Sequence, residues 1–330
     1  MMSFKNSLDS YKIDSMSENI ESELNEKAET EVQPPVGDKT ALVTIIGRPS
    51  AGKSTFLNTA AGEPVSIVSA MPQTTRNAIR GIVNTSLGQL VFVDTPGYHD
   101  SEKKMNLRMR NIVADQLDSS DLVLYIIDST RNCAEEERMI AEILENHQDK
   151  LVIALNKVDE KNPLLEHARK FIKAHLPLVP ENRILEMSAK NDVGINEVLK
   201  ALYDMAKVAP HLYSEEFYTD QDVDFRIAEV IREQAINRLD QEVPHAVYVQ
   251  IADMEMKTPS KIWCRAFLCV EKESQKGIVI GKGAQMIKTI RVESIKALRK
   301  IFDYKIDLDL QVKVDKNWRQ RDVTLNKLLK

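Results

Sequence analysis

The sequence predicts two α/β-type domains in tandem: an α/β domain whose mostly parallel sheet is covered by helices on both faces, then a small α+β domain. Three observations carry this. Short apolar runs alternate with helix-length segments over the first two thirds of the chain. The pattern breaks around Pro210 to Asp224 into Pro, Tyr, Ser and acidic residues. Beyond the break a different order of elements ends in a strictly alternating strand. A chain of 330 residues, 43% of them apolar, suffices for two cores.

Residues 1 to 39 are rich in Ser, Glu, Asp and Asn, with nine acidic and four basic side chains, and read as a mostly disordered acidic tail with at most a short helix at Ile20 to Leu24. In the first domain, residues 40 to 209, the apolar runs Ala41 to Ile46, Leu90 to Val93, Leu122 to Ile127, Leu151 to Leu155 and Ile184 to Met187 read as buried strands. The helical segments are Lys53 to Ala61, Met105 to Leu117, Ala134 to His147, Pro163 to His175 and Ile195 to Val208. Residues 210 to 224 read as a linker. In the second domain, residues 225 to 315, Phe225 to Leu239 has helical spacing, and His245 to Ile251 and Ile262 to Val270 read as strands. A helical stretch with a glycine turn follows, then a basic amphipathic helix from Ala284 to Phe302. The last strand is Lys305 to Val314, with Ile306, Leu308, Leu310, Val312 and Val314 on one face. Residues 316 to 330 read as a C-terminal tail.

Charge is spread unevenly. The formal net charge is −5, yet residues 255 to 330 hold 18 Lys+Arg against 9 Asp+Glu. Such asymmetry points to an anionic partner for the C-terminal part, most economically nucleic acid. The three cysteines form no CxxC pair, which argues against a disulfide framework or zinc site and for a reducing, cytoplasmic compartment. A basic start followed by an apolar run is absent, as is any run of bilayer length, so a soluble protein is expected.

The chemistry lies at predicted strand ends. Gly47-Arg48-Pro49-Ser50-Ala51-Gly52-Lys53-Ser54, with Thr55 after it, follows a strand and opens a helix, the context that the GxxxxGK[ST] pattern needs. Gly47 and Gly52 let the backbone curl so that N–H groups face phosphate oxygens. Lys53 reaches the β- and γ-phosphates, and the Ser54 hydroxyl is a Mg²⁺ ligand. Asp94-Thr95-Pro96-Gly97 sets a carboxylate beside the metal and a Gly97 N–H beside the γ-phosphate. In Asn156-Lys157-Val158-Asp159 the Asp159 carboxylate can accept both N1–H and N2–H₂ of guanine, which adenine does not offer; this favours GTP over ATP. Asn156 orients the loop, and the stem of Lys157 lies along the base. Ser188-Ala189-Lys190 supplies a backbone N–H for guanine O6.

In this order and on these strand ends, the motifs resemble the translation-factor-like GTPases and, more closely, the Era family. The resemblance runs from about Leu42 to Trp318 and includes the switch segment Val65 to Gly81 with its Gln73-Thr74-Thr75-Arg76 core. It implies that Thr75, or less favourably Thr74, is the switch threonine contacting Mg²⁺ and the γ-phosphate. Lys53, Thr75 and Gly97 are then the catalytic group. Tyr98 stands where Ras-like GTPases place a water-orienting glutamine, which implies slow intrinsic hydrolysis. Ser50 replaces an asparagine that many relatives carry and that is linked to potassium activation. His99 is given no general-base role.

Gly277-Ile278-Val279-Ile280-Gly281-Lys282-Gly283-Ala284 links two helical segments, and Lys288 and Arg291 lie on the helix that follows. Such a loop before a basic helix suits a single-stranded RNA backbone. The order of elements resembles a type II KH domain. Ala284 departs from the usual GKGG, at a cost of roughly 1 kcal/mol if the position needs positive φ. The resemblance implies a monomeric switch that binds GTP, GDP and Mg²⁺. Its implied partners are small-subunit (16S) rRNA near its 3′ end and the 30S subunit, whose assembly it assists. The alternative is a membrane-associated signalling switch, peripheral on the cytoplasmic side and without an RNA role. A P-loop kinase conflicts with the NKVD spacing, a tRNA-modifying relative lacks its terminal cysteine, and a tandem GTPase needs a second P-loop.

Overall fold

The computed structural model describes residues 38–69, 71, 74–98 and 104–329; most of the expected acidic tail lies outside them. The first domain is a mixed sheet in the order β2-β3-β1-β4-β5-β6. Its strands are β1 (Lys39–Ile46), β2 (Ile79–Thr85), β3 (Gly88–Asp94), β4 (Leu122–Asp128), β5 (Leu151–Asn156) and β6 (Ile184–Met187). All neighbours are parallel except the β2–β3 hairpin. The helices are α1 (Lys53–Ala61), α2 (Lys104–Ser119), α3 (Glu135–Leu144), α4 (Leu165–His175) and α5 (Ile195–Met205). Strands β3, β4 and β5 are buried along their whole length, as expected of strands covered on both faces. One core, with Phe56, Leu57 and Phe92, lies on the α1/α5 side, and another, with Tyr125, Ile140 and Phe171, lies on the α3/α4 side.

Two local features escape the periodicity. Strand β2 sits inside the expected switch segment and beyond it, because Ile79-Arg80-Gly81-Ile82-Val83 is too short and too interrupted to separate from a loop by pattern. It exists by pairing with β3. Its other edge is covered by the segment read as a linker: the Ile82 N–H donates to the Tyr218 carbonyl and the Thr219 hydroxyl to the Arg80 carbonyl. Helix α5 also stops short of Val208. Ala206 turns extended, and Lys207–Val208 forms a two-residue strand, β7, antiparallel to Lys39 and Thr40.

The second domain runs α6 (Val223–Ile236), a short α7 (Val243–Ala246), β8 (Tyr248–Thr258), β9 (Lys261–Val270), α8 (Glu273–Ile280), α9 (Gln285–Leu298) and β10 (Lys305–Val314). Its sheet order is β10-β9-β8, with β8 antiparallel and β10 parallel to β9. The alternating residues Ile306, Leu308 and Leu310 of β10 are buried against the core built on Ile227, Ile231, Leu268 and Ile290. The parallel β9–β10 pair requires a crossover, and α8 and α9 provide it.

The expected C-terminal tail is instead a packed element. Trp318 is 1% exposed and its indole N–H donates to the Ala246 carbonyl at 2.9 Å. Helix α10 (Asp322–Leu328) buries Leu325 beside it, together with Tyr248 and Cys269. The stretch is short and mostly polar, so its two anchors carry no period. Trp318→Ala should lower the stability of the second domain by about 3–5 kcal/mol, through lost packing and an orphaned Ala246 carbonyl. Urea unfolding midpoints of the two proteins measure this.

Candidate functional site

The carboxyl ends of β1, β3, β5 and β6 converge on a cavity of about 600 Å³, lined by residues of the loop after β1, the switch segment and the loops after β5 and β6. The loop after β1 curls because two positions exclude a side chain. A Cβ at Gly47 would lie 2.4 Å from the Ile126 carbonyl oxygen, and one at Gly52, where φ is 100°, would lie 2.2 Å from the Asn156 amide. Gly52 is also the N-cap of α1, and no side chain caps that helix, so its first N–H groups are free for an anion. The Lys53 ammonium folds back onto the Gly47 and Arg48 carbonyls at 2.9 and 3.1 Å. Burial pushes its pKa down, while Asp94 and Glu137 partly restore it.

Asp94 ends β3 fully buried and gathers three hydroxyls, one from α1 and two from the switch segment, onto one oxygen. Its Oδ2 accepts from Ser54 at 2.6 Å, from Ser66 at 2.8 Å and from Thr75 at 3.3 Å. The Ser54 and Thr75 hydroxyls are themselves 3.0 Å apart. Its Oδ1 is buried without a hydrogen-bond partner. A carboxylate with an orphaned oxygen beside two hydroxyls is an all-oxygen set that fits Mg²⁺. Ser54, Thr75 and Asp94 are thereby brought together. Among the described residues no cluster of three or more His, Cys, Asp or Glu forms a metal site, because this set is mostly hydroxyl. Thr74 turns away and donates to the Met71 carbonyl.

Gly97 approaches the loop after β1 so closely that a Cβ there would meet Pro49 backbone at 2.8 Å. Thr95 fixes this strand end by donating to the Ile45 carbonyl at 2.7 Å, and Pro96 is buried behind it. Tyr98 packs against the α3/α4-side core. His99 lies outside the described residues, as does Gln73 of the switch core.

On the opposite side of the cavity, Asn156 ties three loops together. Its Nδ2 donates to the Ala51 carbonyl at 2.8 Å and its Oδ1 accepts the Ala189 N–H at 2.9 Å. The Thr59 hydroxyl donates to the Ala189 carbonyl at 2.7 Å. Asp159 is exposed at the rim rather than buried, and the Ser188 hydroxyl holds its pKa below the ordinary carboxylate value. Lys157, with φ 69°, spans from the cavity to Asp128, 2.8 Å away. Ser50, Thr55 and Lys190 line the cavity, and Ser50 adopts φ 63°.

Sequence reasoning missed one layer beneath this. Arg48 is 3% exposed and reaches Asp128 and, at 3.3 Å, Glu137, which also accepts from the buried Tyr125 hydroxyl. This network stiffens the loop after β1 from behind. Only the presence of an arginine within the glycine-rich motif hinted at it.

In the second domain, α8 and α9 meet at Gly281-Lys282-Gly283-Ala284. Gly281 has φ 72°, and a Cβ there would lie 2.7 Å from Met286 Cβ; Gly283 has φ 59° and open space around it. Ala284 is left-handed at φ 60°, so the position does disfavour a side chain. Lys282 and Lys288 are exposed or half-exposed, Gly277 lies on the outer turn of α8, and Ile278 beside it is 52% exposed. Arg291 is also tied to the domain's own sheet: its Nε donates to the Leu308 carbonyl at 2.5 Å and its guanidinium, still 42% exposed, faces Asp307 of β10.

Family models match residues 42–157, as a 50S ribosome-binding GTPase, and 242–319, as a KH domain. The chain is 57% identical over 290 residues to the GTPase Era of Treponema denticola, covering 88% of this chain and 99% of the relative. The chain belongs to the Era GTPase family. It is therefore a GTPase with GTP or GDP and Mg²⁺ as its ligands. The GTPase Era of Borreliella afzelii is 41% identical over 291 residues, 88% of this chain and 99% of that one. Among solved structures, Era in complex with MgGDPNP and nucleotides 1506–1542 of 16S ribosomal RNA superposes with a TM-score of 0.83 at 29% identity, covering 88% of this chain and 98% of that one. A single-residue variant of Aquifex aeolicus Era bound to GDP·AlF₄⁻ gives 0.82 at 29% identity, over 87% and 98%.

The geometry sets two expected outcomes. Burial raises the pKa of Asp94 above the ordinary carboxylate value, with Lys53 and the three hydroxyls opposing it. A raised carboxylate favours the fold at low pH and loses that contribution as pH rises through its folded value. In nucleotide-free, Mg²⁺-free protein, Asp94→Asn should therefore gain stability relative to wild type as pH rises above the ordinary carboxylate value of about 4, read from denaturant midpoints. Ala284→Gly should stabilise the second domain by about 1 kcal/mol by relieving the left-handed alanine, read in the same way.

Proposed function

We propose that the chain is a GTP-driven switch that binds small-subunit (16S) rRNA near its 3′ end and assists 30S assembly, acting as a monomer in the cytoplasm. The observation that carries this is the convergence of Ser54, Thr75 and Asp94 beside a backbone cradle, on a chain whose fold follows, across both domains, that of an Era bound to MgGDPNP and 16S rRNA. Gly52 and the first turn of α1 bind the phosphates through N–H groups, and Lys53 leaves the Gly47 and Arg48 carbonyls for the β- and γ-oxygens. Ser54, Thr75 and Asp94 would hold Mg²⁺, which neutralises charge developing on the phosphate oxygens. The Gly97 N–H meets the γ-phosphate, and Asp159 reads the guanine edge while Ala189 N–H and Asn156 fix the loops around it. With Tyr98 packed inward, the residue after Gly97 does not orient the attacking water, so the unassisted rate is low.

Lys282, Gly283, Lys288 and the outer turn at Gly277 and Ile278 form the RNA surface: cations and loop N–H groups for phosphates, an apolar patch for a base. Arg291 is also tied to the sheet. The domains assigned are residues 39 to 209 for GTP and 223 to 329 for RNA, with the intervening strap closing the β2 edge.

The test is GTP turnover with and without an RNA oligonucleotide ending in the small-subunit 3′ sequence, on wild type and Gly283→Asp. Gly283 is chosen over Gly281 because its surroundings are open and aspartate tolerates its φ. Stimulation is expected in wild type, with loss of about tenfold or more in RNA affinity in the variant, since one new carboxylate faces several phosphates. RNA that neither binds nor stimulates overturns the RNA assignment. Binding of the same protein to anionic vesicles instead would favour the membrane alternative.

A further inference from the structure

The C-terminal segment 316–329 touches the structure that follows each nucleotide loop. Arg76 is the neighbour of Thr75. It is 7% exposed, donates to the Val247 and His245 carbonyls at 2.7 and 3.3 Å, and lies with its guanidinium carbon 5.4 Å from the centroid of the Trp318 ring. Its Nε has no hydrogen-bond partner. From the other loop, α2 begins seven residues after Gly97. Lys104 and Arg108 on α2 both pair with Asp322, and Arg108 also donates to Asn326. Met105 and Met109 of the same helix pack in one cluster with Trp318, Leu325 and Tyr248.

The same segment grips the second domain. Trp318 donates to Ala246 and packs edge-on against Tyr248 at 4.9 Å, while the Tyr248 hydroxyl and Arg321 share Asp315 at the end of β10. A cavity of about 670 Å³ opens between this segment, α6 and Arg76, so Arg76 and α2 hold the segment in place of continuous packing. Within the cavity Arg232 pairs with Glu229 and Arg321 with Asp315. Helix α6 also meets the switch segment, through Glu233 to the Val68 N–H and Arg232 to the Thr74 carbonyl, but those contacts report on that segment alone.

We propose that residues 316–329 are a relay that reads both nucleotide loops at once, through Arg76 on Trp318 and through Lys104 and Arg108 on Asp322, and passes their state to the second domain through Tyr248 and Asp315. A buried guanidinium with an unsatisfied Nε is costly to hold. Arg76 keeps its place only while Thr75 is drawn to Ser54 and Asp94, so release of that threonine frees Trp318. The relay rests on the proposed GTP-dependent RNA binding and names the residues that connect its two halves.

The chain holds two tryptophans, so Trp263→Phe leaves Trp318 as sole reporter. Its emission should differ between the GDP form and the form with a non-hydrolysable GTP analogue; identical spectra overturn the relay. In a second arm, affinity for the rRNA oligonucleotide is measured in both forms. Asp322→Lys, an exposed change outside the residues that line the nucleotide cavity, should reduce the ratio of the two affinities roughly two- to fivefold with nucleotide affinity unchanged. Lys104→Asp and Arg108→Asp added to Asp322→Lys should restore it. An unchanged ratio, or equal loss in both forms without rescue, overturns the relay while leaving RNA binding standing. A wild type with equal affinities in both forms overturns the relay and the state dependence together, and a wild type that binds no RNA removes the RNA assignment itself.

Discussion

One buried carboxylate oxygen organises the molecule. Asp94 Oδ2 collects Ser54 from the start of α1, and Ser66 and Thr75 from the switch segment, so the phosphate cradle and the switch share a single acceptor. Three hydrogen bonds to one charged oxygen are each worth more than a neutral pair. They oppose a large desolvation cost, which wins enough to raise the Asp94 pKa. The cluster is therefore held together by an ion that the protein alone solvates poorly. That is the condition under which a divalent cation changes the energy of the whole arrangement and not only of its ligands.

Asn156 supplies the opposite constraint. Its amide bridges Ala51 and Ala189, and its position is what denies Gly52 a side chain. The phosphate end and the base end of the cavity are thus one rigid body on the β1–β5 side, backed by Arg48, Glu137 and Tyr125. On the β2–β3 side the switch segment is tied both to the nucleotide cavity, through Ser66 and Thr75, and to α6 and Trp318.

The strands that hold the motifs were legible because they are buried on both faces and read as continuous apolar runs. The motif residues were legible because glycine, lysine and carboxylate at strand ends have few other uses. Gly52, Lys53, Asp94 and Asn156 stand together as their chemistry requires, and Thr75 in preference to Thr74 reaches Ser54. What sequence did not disclose depends on partners far away in the chain. Strand β2 is defined by β3 and by Tyr218, and Trp318 by Ala246 and Tyr248. Arg291 looked like one more cation on a basic helix, and only the structure shows its Nε bonded to the β10 carbonyl at Leu308.

That last case bears on how charge should be read in the second domain. Its excess of cations suggests a uniformly attractive surface, yet Arg265, Arg291, Arg319 and Arg321 each face a carboxylate. These pairs join α9, β9, β10 and the segment after them to one another. At the α8–α9 junction Lys282 and Lys288 stand exposed beside the left-handed turn. The excess of cations counted along the sequence therefore overstates the charge that stands unpaired at the surface of this domain.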